Sequence, residues 1–359
     1  MINETDILIA LIVAAVAAWL AGFPAARLGR RLRIIDTPKN RSCHTVPTPR
    51  TGGMAILPGA LIGIAICFRA TPAFLLAAGV GALVAAISFL DDLFDLRSLP
   101  RLIVHLVVTT AAVYIIDMPV VDLGLPYLDF ELPHLVGMAI AILFVVAFVN
   151  FFNFMDGING LAAAQGILGG LALAMLLRMS GVVNSVVVAS ALAGACLGFL
   201  PHNFPRAKIF MGDMASTTIG FSLAMLTLVG ATRGPTSVSW IAMLLPLGVF
   251  IYDATFTLIK RIIRGENFIK PHREHHYQLL IRCGWSHTRV TLLQMGLMVM
   301  CCAGAFIYAA GSDALRLVVL TAVFAVLATY SVLVHRYFAR NRKDAPAESV
   351  SVAQGRTLA

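Results

Sequence analysis

The chain has 359 residues, of which 59% are hydrophobic and only 13% charged. A soluble domain carries about 25% charged residues. With a mean hydropathy of +0.87, the apolar surplus requires lipid as its solvent, which excludes a secreted globular enzyme and a disordered chain. The net charge of +9 does not mark a nucleic-acid binder, because the cations sit in short loops between apolar runs.

Apolar runs lie near 6–26, 54–69, 72–90, 102–116, 135–152, 161–178, 182–200, 217–232, 237–259, 290–310 and 314–335. Most reach the length of about 17–25 residues that a bilayer demands. The runs 54–69 and 102–116 are short and are expected to extend into their flanks. Barrel-type alternation is absent, so helices are the reading, and Gly and Ala within them suit close helix packing. The expectation is an all-α, polytopic integral membrane protein with about 11 transmembrane helices. The first run is led by Glu4 and Asp6, not by a basic segment, and no cleavage site follows, so it is not a cleaved signal peptide.

With the amino terminus outside, the loops on the other side hold 23 of the 27 Lys and Arg residues. That split is a positive-inside signal. It predicts an amino terminus on the outer, periplasmic side and a cytoplasmic carboxyl terminus. Residues 1–337 read as one multi-span unit with its active loops on the cytoplasmic side. Residues 338–359 are polar and aperiodic and are expected to be a disordered cytoplasmic tail. The outer loop 117–134 is acidic and proline-rich, and either a short hairpin or a plain connector fits it. Cys43, Cys67, Cys196, Cys283, Cys301 and Cys302 have neither metal-knuckle nor disulfide spacing and read as packing residues.

The carboxylates gather at the inner ends of the runs: Asp36, Asp91, Asp92, Asp95, Asp156, Asp213 and Asp253. A carboxylate cluster beside basic loops at a membrane surface suggests a metal ion and phosphates. Asp91 and Asp92 abut an apolar run, where adjacent carboxylates repel unless a cation is near. Asn150, Asn153 and Asp156 recur every three residues, which keeps them on one stripe of a helix, and Gly157 and Gly160 follow. Such a stripe suits a metal, a ribose or a phosphate-bridging water. Asp213 follows Gly212 in the loop before the eighth run, where a hard oxygen ligand suits Mg²⁺, and Ser216 can cap the helix. His272, His275 and His276 can share a face beside Lys270 and Arg273. Contact with anions is preferred there over a zinc site, which lacks a Cys or carboxylate partner at matching spacing. The first inner loop, Asp36 to Gly53, offers Arg41, His44 and Arg50 on a proline-stiffened chain.

The order Asp36-x-Pro-x-x-Arg-x-x-His-x-x-Pro-x-Pro-Arg-x-Gly-Gly, Asp91-Asp92, Asn150-x-x-Asn153-x-x-Asp156-Gly157, Gly212-Asp213 and a histidine loop resembles the polyprenyl-phosphate N-acetylhexosamine-1-phosphate transferase family. The resemblance covers residues of about 30 to 290. It implies transfer of a sugar 1-phosphate from a UDP-N-acetylhexosamine to polyprenyl phosphate, with release of UMP and a need for Mg²⁺, for which Mn²⁺ can substitute. It implies Asp213 as the first metal ligand, with Asn153 or Asp156 sharing the site. Asp91 and Asp92 are expected to orient the lipid phosphate or take its proton, with Asp156, His272 and His275 also in the catalytic set. Lys208, Arg273, His276, Asn150, Asn153, Arg41, His44 and Arg50 are expected to hold the substrates.

The chain departs from its relatives at Asn159, where many have aspartate, at Ala215, where glycine is usual, and in a histidine loop reading His-Arg-Glu-His-His-Tyr. These features resemble the branch that starts O-antigen or other surface glycans more than the peptidoglycan translocase. A transporter or flippase of lipid-linked sugars is the rival class, and a membrane scaffold a second. Neither needs carboxylates confined to one face, and no internal repeat supports a transporter. The expected partners are the UDP-sugar, the polyprenyl phosphate, the bilayer and, as an open option, a second copy of the chain.

Overall fold

The structure is a computed structural model that describes residues 2–38, 43–67, 72–94, 98–234, 236, 238–267 and 272–341. In lipid every backbone N–H and C=O must be satisfied within the segment, so an apolar run of this length forms a helix. Each apolar run carries a helix: α1 (Glu4–Arg31), α2 (Gly53–Cys67), α3 (Pro72–Phe94), α4 (Ser98–Ile116), α5 (His134–Met155), α6 (Leu161–Met179), α7 (Val183–Asn203), α8 (Asp213–Thr232), α9 (Trp240–Leu244) with α10 (Gly248–Ile263), α12 (His287–Ala310) and α13 (Asp313–Asn341). A short helix, α11 (His276–Arg282), lies between α10 and α12. Among the described residues eight helices are long and apolar enough to cross a membrane. The chain is therefore an all-α multi-pass membrane protein.

The local chemistry explains several boundaries. The acidic start of α1 is a capping box: Asp6 N–H donates to Asn3 Oδ1 at 2.9 Å and Asn3 N–H to Asp6 Oδ2 at 2.8 Å. The run read as one span over 237–259 is broken by a 3-10 turn at Leu245–Leu247, between α9 and α10. Buried Gln165 of α6 donates to the Pro246 carbonyl in that break at 3.0 Å. Ser216 is not the cap of α8: the helix already starts at Asp213, and Ser216 lies buried in its first turn. The outer loop has no strand among its described residues. It is a connector, closed by Leu132 N–H on the Val121 carbonyl at 2.7 Å and by Tyr308 Oη on the Gly124 carbonyl at 2.6 Å. The last helix runs to Asn341, so 338–341 are helical. The remaining tail, Arg41, Asp95 and Lys270 lie outside the described residues.

Packing follows residue size. Ala10, Ala14 and Ala18 of α1 are fully buried, and α1 lies against α2 and α7. Gly198 of α7 meets the Ala15 carbonyl so closely that a Cβ there would collide with it; such contact is how membrane helices gain dispersion energy. Phe152 links α5 to α10, its ring centroid 5.3 Å from that of Phe250. Both α3 and α5 pack on α8. The loop between α1 and α2 folds back as a two-stranded antiparallel ribbon, β1 (Ile35–Asp36) on β2 (Thr48–Pro49), with Ile35 opposite Pro49 and Asp36 opposite Thr48. The six cysteines are free thiols, with Cys196, Cys301 and Cys302 buried.

Candidate active site

The loops that hold the chain's polar residues converge on one cleft at one end of the bundle. It encloses about 230 Å³. Asp36, His44 and Arg50 come from the α1–α2 loop and Asp92 from the end of α3. Asp156 and Asn159 come from the α5–α6 turn, Gly212 and Asp213 from the start of α8, and His272 from the loop after α10.

Backbone pairing joins these loops. Phe210 N–H donates to the Pro49 carbonyl at 2.7 Å, Gly52 N–H to the Phe210 carbonyl at 2.9 Å and Gly53 N–H to the Met211 carbonyl at 3.0 Å. Gly212 then turns the chain with φ +79°, a conformation that favours glycine. A Cβ there would also lie 2.6 Å from the Arg50 carbonyl oxygen. These contacts fix Arg50 and Asp213 beside one another in the cleft lining.

Asp92 is buried, at 3% exposure. Its carboxylate accepts from the N–H groups of Asp213 at 3.0 Å and Met214 at 2.9 Å, first-turn donors of α8 that the helix itself cannot satisfy. Arg50 Nε stands 3.8 Å from the same group. Asp92 therefore ties α3 to α8 and sets where Asp213 begins. Asp156 follows the last turn of α5. Burial pushes its carboxyl up to about 7, and the negative charges of Asp92 and Asp36 push the same way. Crowded carboxylates facing one cleft are the donor chemistry of a hard divalent cation. Among the described residues no three His, Cys, Asp or Glu side chains form a ready-made metal cage. Magnesium does not require one, because it binds through one or two carboxylates together with water and substrate phosphates.

The histidine loop is clamped at both ends by α10. Buried Asp253 accepts from His275 Nδ1 at 3.0 Å and from the His276 backbone N–H at 3.1 Å, and the His276 ring Nδ1 stands 3.1 Å from its second oxygen. His276 Nε2 lies 2.6 Å from Ser331 Oγ of α13. Arg261 donates to Glu274 at 3.1 Å and pairs with Glu266 at 2.8 Å. Burial alone would raise the Glu274 carboxyl, but the charges of Lys260, Arg261 and Arg264 outweigh it and hold it below its ordinary value. His272 is left to face the cleft, with its Nδ1 buried and, among the described residues, without a hydrogen-bond partner. Burial, with the nearby His275 and Arg261, lowers its pKa to about 4. Tyr277 donates to the Phe154 carbonyl at 2.9 Å, so close to Gly157 that any side chain there would strike its hydroxyl.

Of the residues expected from the sequence, the cleft brings together His44, Arg50, Asp92, Asp156, Asp213 and His272. Others stand off its lining. Asp91 is buried, His275 and His276 are held by Asp253, and Lys208 is exposed elsewhere. Arg273 and Asn153 also lie off the lining, while Asn150 donates to the Val146 carbonyl of its own helix at 2.7 Å. The cleft also contains Cys43, Asn203, Phe210, Gln278 and His287. Cys43, Phe210 and Gln278 lie in or beside segments that the sequence marks, whereas Asn203 and His287 lie outside every such segment and only the fold places them here.

A multi-pass helical membrane protein whose loops build one cleft of carboxylates, imidazoles and a fixed arginine has the make-up of a membrane enzyme. The profile of glycosyl transferase family 4 matches residues 74–231. The decaprenyl-phosphate N-acetylglucosaminephosphotransferase of Mycobacterium tuberculosis is 33% identical over 319 residues, which cover 79% of this chain and 77% of that relative. The undecaprenyl-phosphate alpha-N-acetylglucosaminyl 1-phosphate transferase of Yersinia pestis is 26% identical over 284 residues, with 76% of each chain covered. The chain belongs to the polyprenyl-phosphate N-acetylglucosamine-1-phosphate transferase family, within glycosyl transferase family 4.

Proposed function

We propose that this protein transfers an N-acetylhexosamine 1-phosphate from a UDP-sugar to a polyprenyl phosphate such as undecaprenyl phosphate, and that this is the first membrane step of O-antigen or another surface glycan. The observation that carries the reading is the convergence of Arg50, Asp92, Asp156, Asp213 and His272 from distant loops on one cleft. Family membership and the names of the relatives support it. All the apolar runs then cross the membrane, about 11 in number, with the amino terminus periplasmic. The cleft opens to the cytoplasm of a bacterial inner membrane, in keeping with 23 of 27 cations on its side.

A phosphate oxygen of the lipid attacks the β-phosphorus of the UDP-sugar. The bond from that phosphorus to the bridging oxygen breaks, and the oxygen leaves on UMP. Both reactants are anions, so the protein's work is positioning and neutralisation. A phosphate monoester has a second pKa near 6, so the lipid is already largely dianionic at neutral pH and needs little help from a base. Asp92, with its oxygens engaged by α8, serves to hold Asp213 in place. Magnesium, or manganese in its stead, supplies neutralisation of the diphosphate, and Asp156 and Asp213 would hold it. Arg50 provides a fixed cation and His272 a neutral ring for hydrogen bonding with the donor.

The test is label transfer. Purified protein with undecaprenyl phosphate and MgCl₂ is given a panel of sugar-labelled UDP-sugars. Label should pass into the butanol-extractable lipid from one or more UDP-N-acetylhexosamines. Failure with the whole panel would overturn the reading.

A further inference from the structure

His287 is the first residue of α12 and stands in the cleft wall between loops from distant parts of the chain. Its Nε2 lies 2.9 Å from the Cys43 carbonyl oxygen. Its Nδ1 accepts, at a longer 3.4 Å, from the Asn159 backbone N–H. One turn on, buried Thr291 donates to the Asn159 carbonyl at 2.8 Å. The Asn159 side chain in turn donates to the Pro205 carbonyl at 3.0 Å. The start of α12 therefore grips both backbone polar groups of one residue, Asn159, and reaches across to the other loop. A neutral imidazole with its proton on Nε2 makes both bonds at once, as one donor and one acceptor. Cys43 precedes His44, and Asn159 closes the turn that begins at Asp156. Both of those neighbours face the cleft.

We propose that His287 is a positioning residue that braces the His44 loop against the Asp156–Asn159 turn and so sets the width of the cleft for the nucleotide sugar; the inference rests on the reaction proposed above. A ligand seated between two loops gains from their being held in place beforehand, because the cost of ordering them is not charged against binding. Other side chains at 287 can fill the space, but few can present a donor and an acceptor in opposite directions. Glutamine can. Phenylalanine keeps the ring and loses both bonds.

The experiment compares wild type, His287→Gln and His287→Phe by steady-state UMP release and by backbone hydrogen exchange without substrate. In His287→Phe the KM for the UDP-sugar should rise about tenfold, and the KM for polyprenyl phosphate should stay within about twofold. Exchange should quicken in peptides covering 43–50 and 156–161 while the rest of α12 stays protected. His287→Gln should lie within about threefold of wild type and keep the protection. The proposal is overturned if His287→Phe matches wild type in exchange at both loops, if His287→Gln is as damaged as His287→Phe, or if exchange quickens along the whole of α12. A wild type that releases no UMP with any UDP-sugar would defeat the reaction itself, and the exchange comparison would still decide the brace.

Discussion

At Asp253 a single buried carboxylate carries the side chains of His275 and His276 and the backbone of His276. Removing one partner of such a set leaves buried polar groups unpaired, at a cost of about 3–5 kcal/mol. Asp253→Ala is therefore expected to lose that much stability, read as a lower melting temperature in detergent. Asp213 and Asp92 should separate in the same way. Asp92→Asn puts an amide N–H against donors at the start of α8 and should cost about 1–3 kcal/mol. Asp213→Asn should melt like wild type but need more Mg²⁺ for half-maximal UMP release. A variant pair with these two responses exchanged would reverse the roles. His272 has its own signature. Its folded pKa near 4 lies below the ordinary value of 6.5, so between those values the unfolded chain binds the proton and the folded chain does not. Wild type should lose stability as pH falls from about 6.5 to about 4, and His272→Gln should lose less over that window, measured by melts at each pH.

At the scale of the element, the sequence displays the helices more fully than the site. Apolar length alone marks the long helices, since lipid leaves the backbone no other way to satisfy its polar groups. It does not reveal the 3-10 break at Leu245–Leu247, because Pro246 sits in an unbroken apolar run and the carbonyl is satisfied by Gln165 far away in sequence. The residue types of the site are visible at Asp92, Asp156, Asp213 and His272. Their roles are not, because Asp92 finds its partner 121 residues away at Asp213 and no local spacing encodes that. The same holds for His287, whose surroundings read as an ordinary helix start with Ser286 as its cap. His275 and His276 look alike with His272 in the sequence, and only the position of α10 separates the held pair from the one that faces the cleft. The loop between α7 and α8 then makes a clear statement about sidedness. A cysteine at exposed Lys208 should resist a membrane-impermeant maleimide in intact spheroplasts, and one at Tyr127, 67% exposed in the outer loop, should react above the parent's background. The reverse pattern would invert the proposed topology.

Across the whole molecule, a helical scaffold packed through small residues in lipid carries loops that enclose a polar cleft at one end. Short backbone pairing between 49–53 and 210–211 and the Asp92 link to α8 join parts of the chain that are far apart in sequence. This division lets the membrane stabilise the scaffold while the loops meet anionic substrates at its surface. The most direct measurement is UMP release by the purified protein with UDP-N-acetylhexosamine and Mg²⁺, in the presence and absence of polyprenyl phosphate. One UMP should appear for each lipid-linked diphosphate sugar formed. Release should cease without the lipid and fall at least about 100-fold in Asp213→Asn, the loss expected when a charge-assisted contact worth about 3 kcal/mol is removed from the transition state. UMP release that is independent of the lipid, or an Asp213→Asn enzyme as active as wild type, would contradict transfer at this cleft.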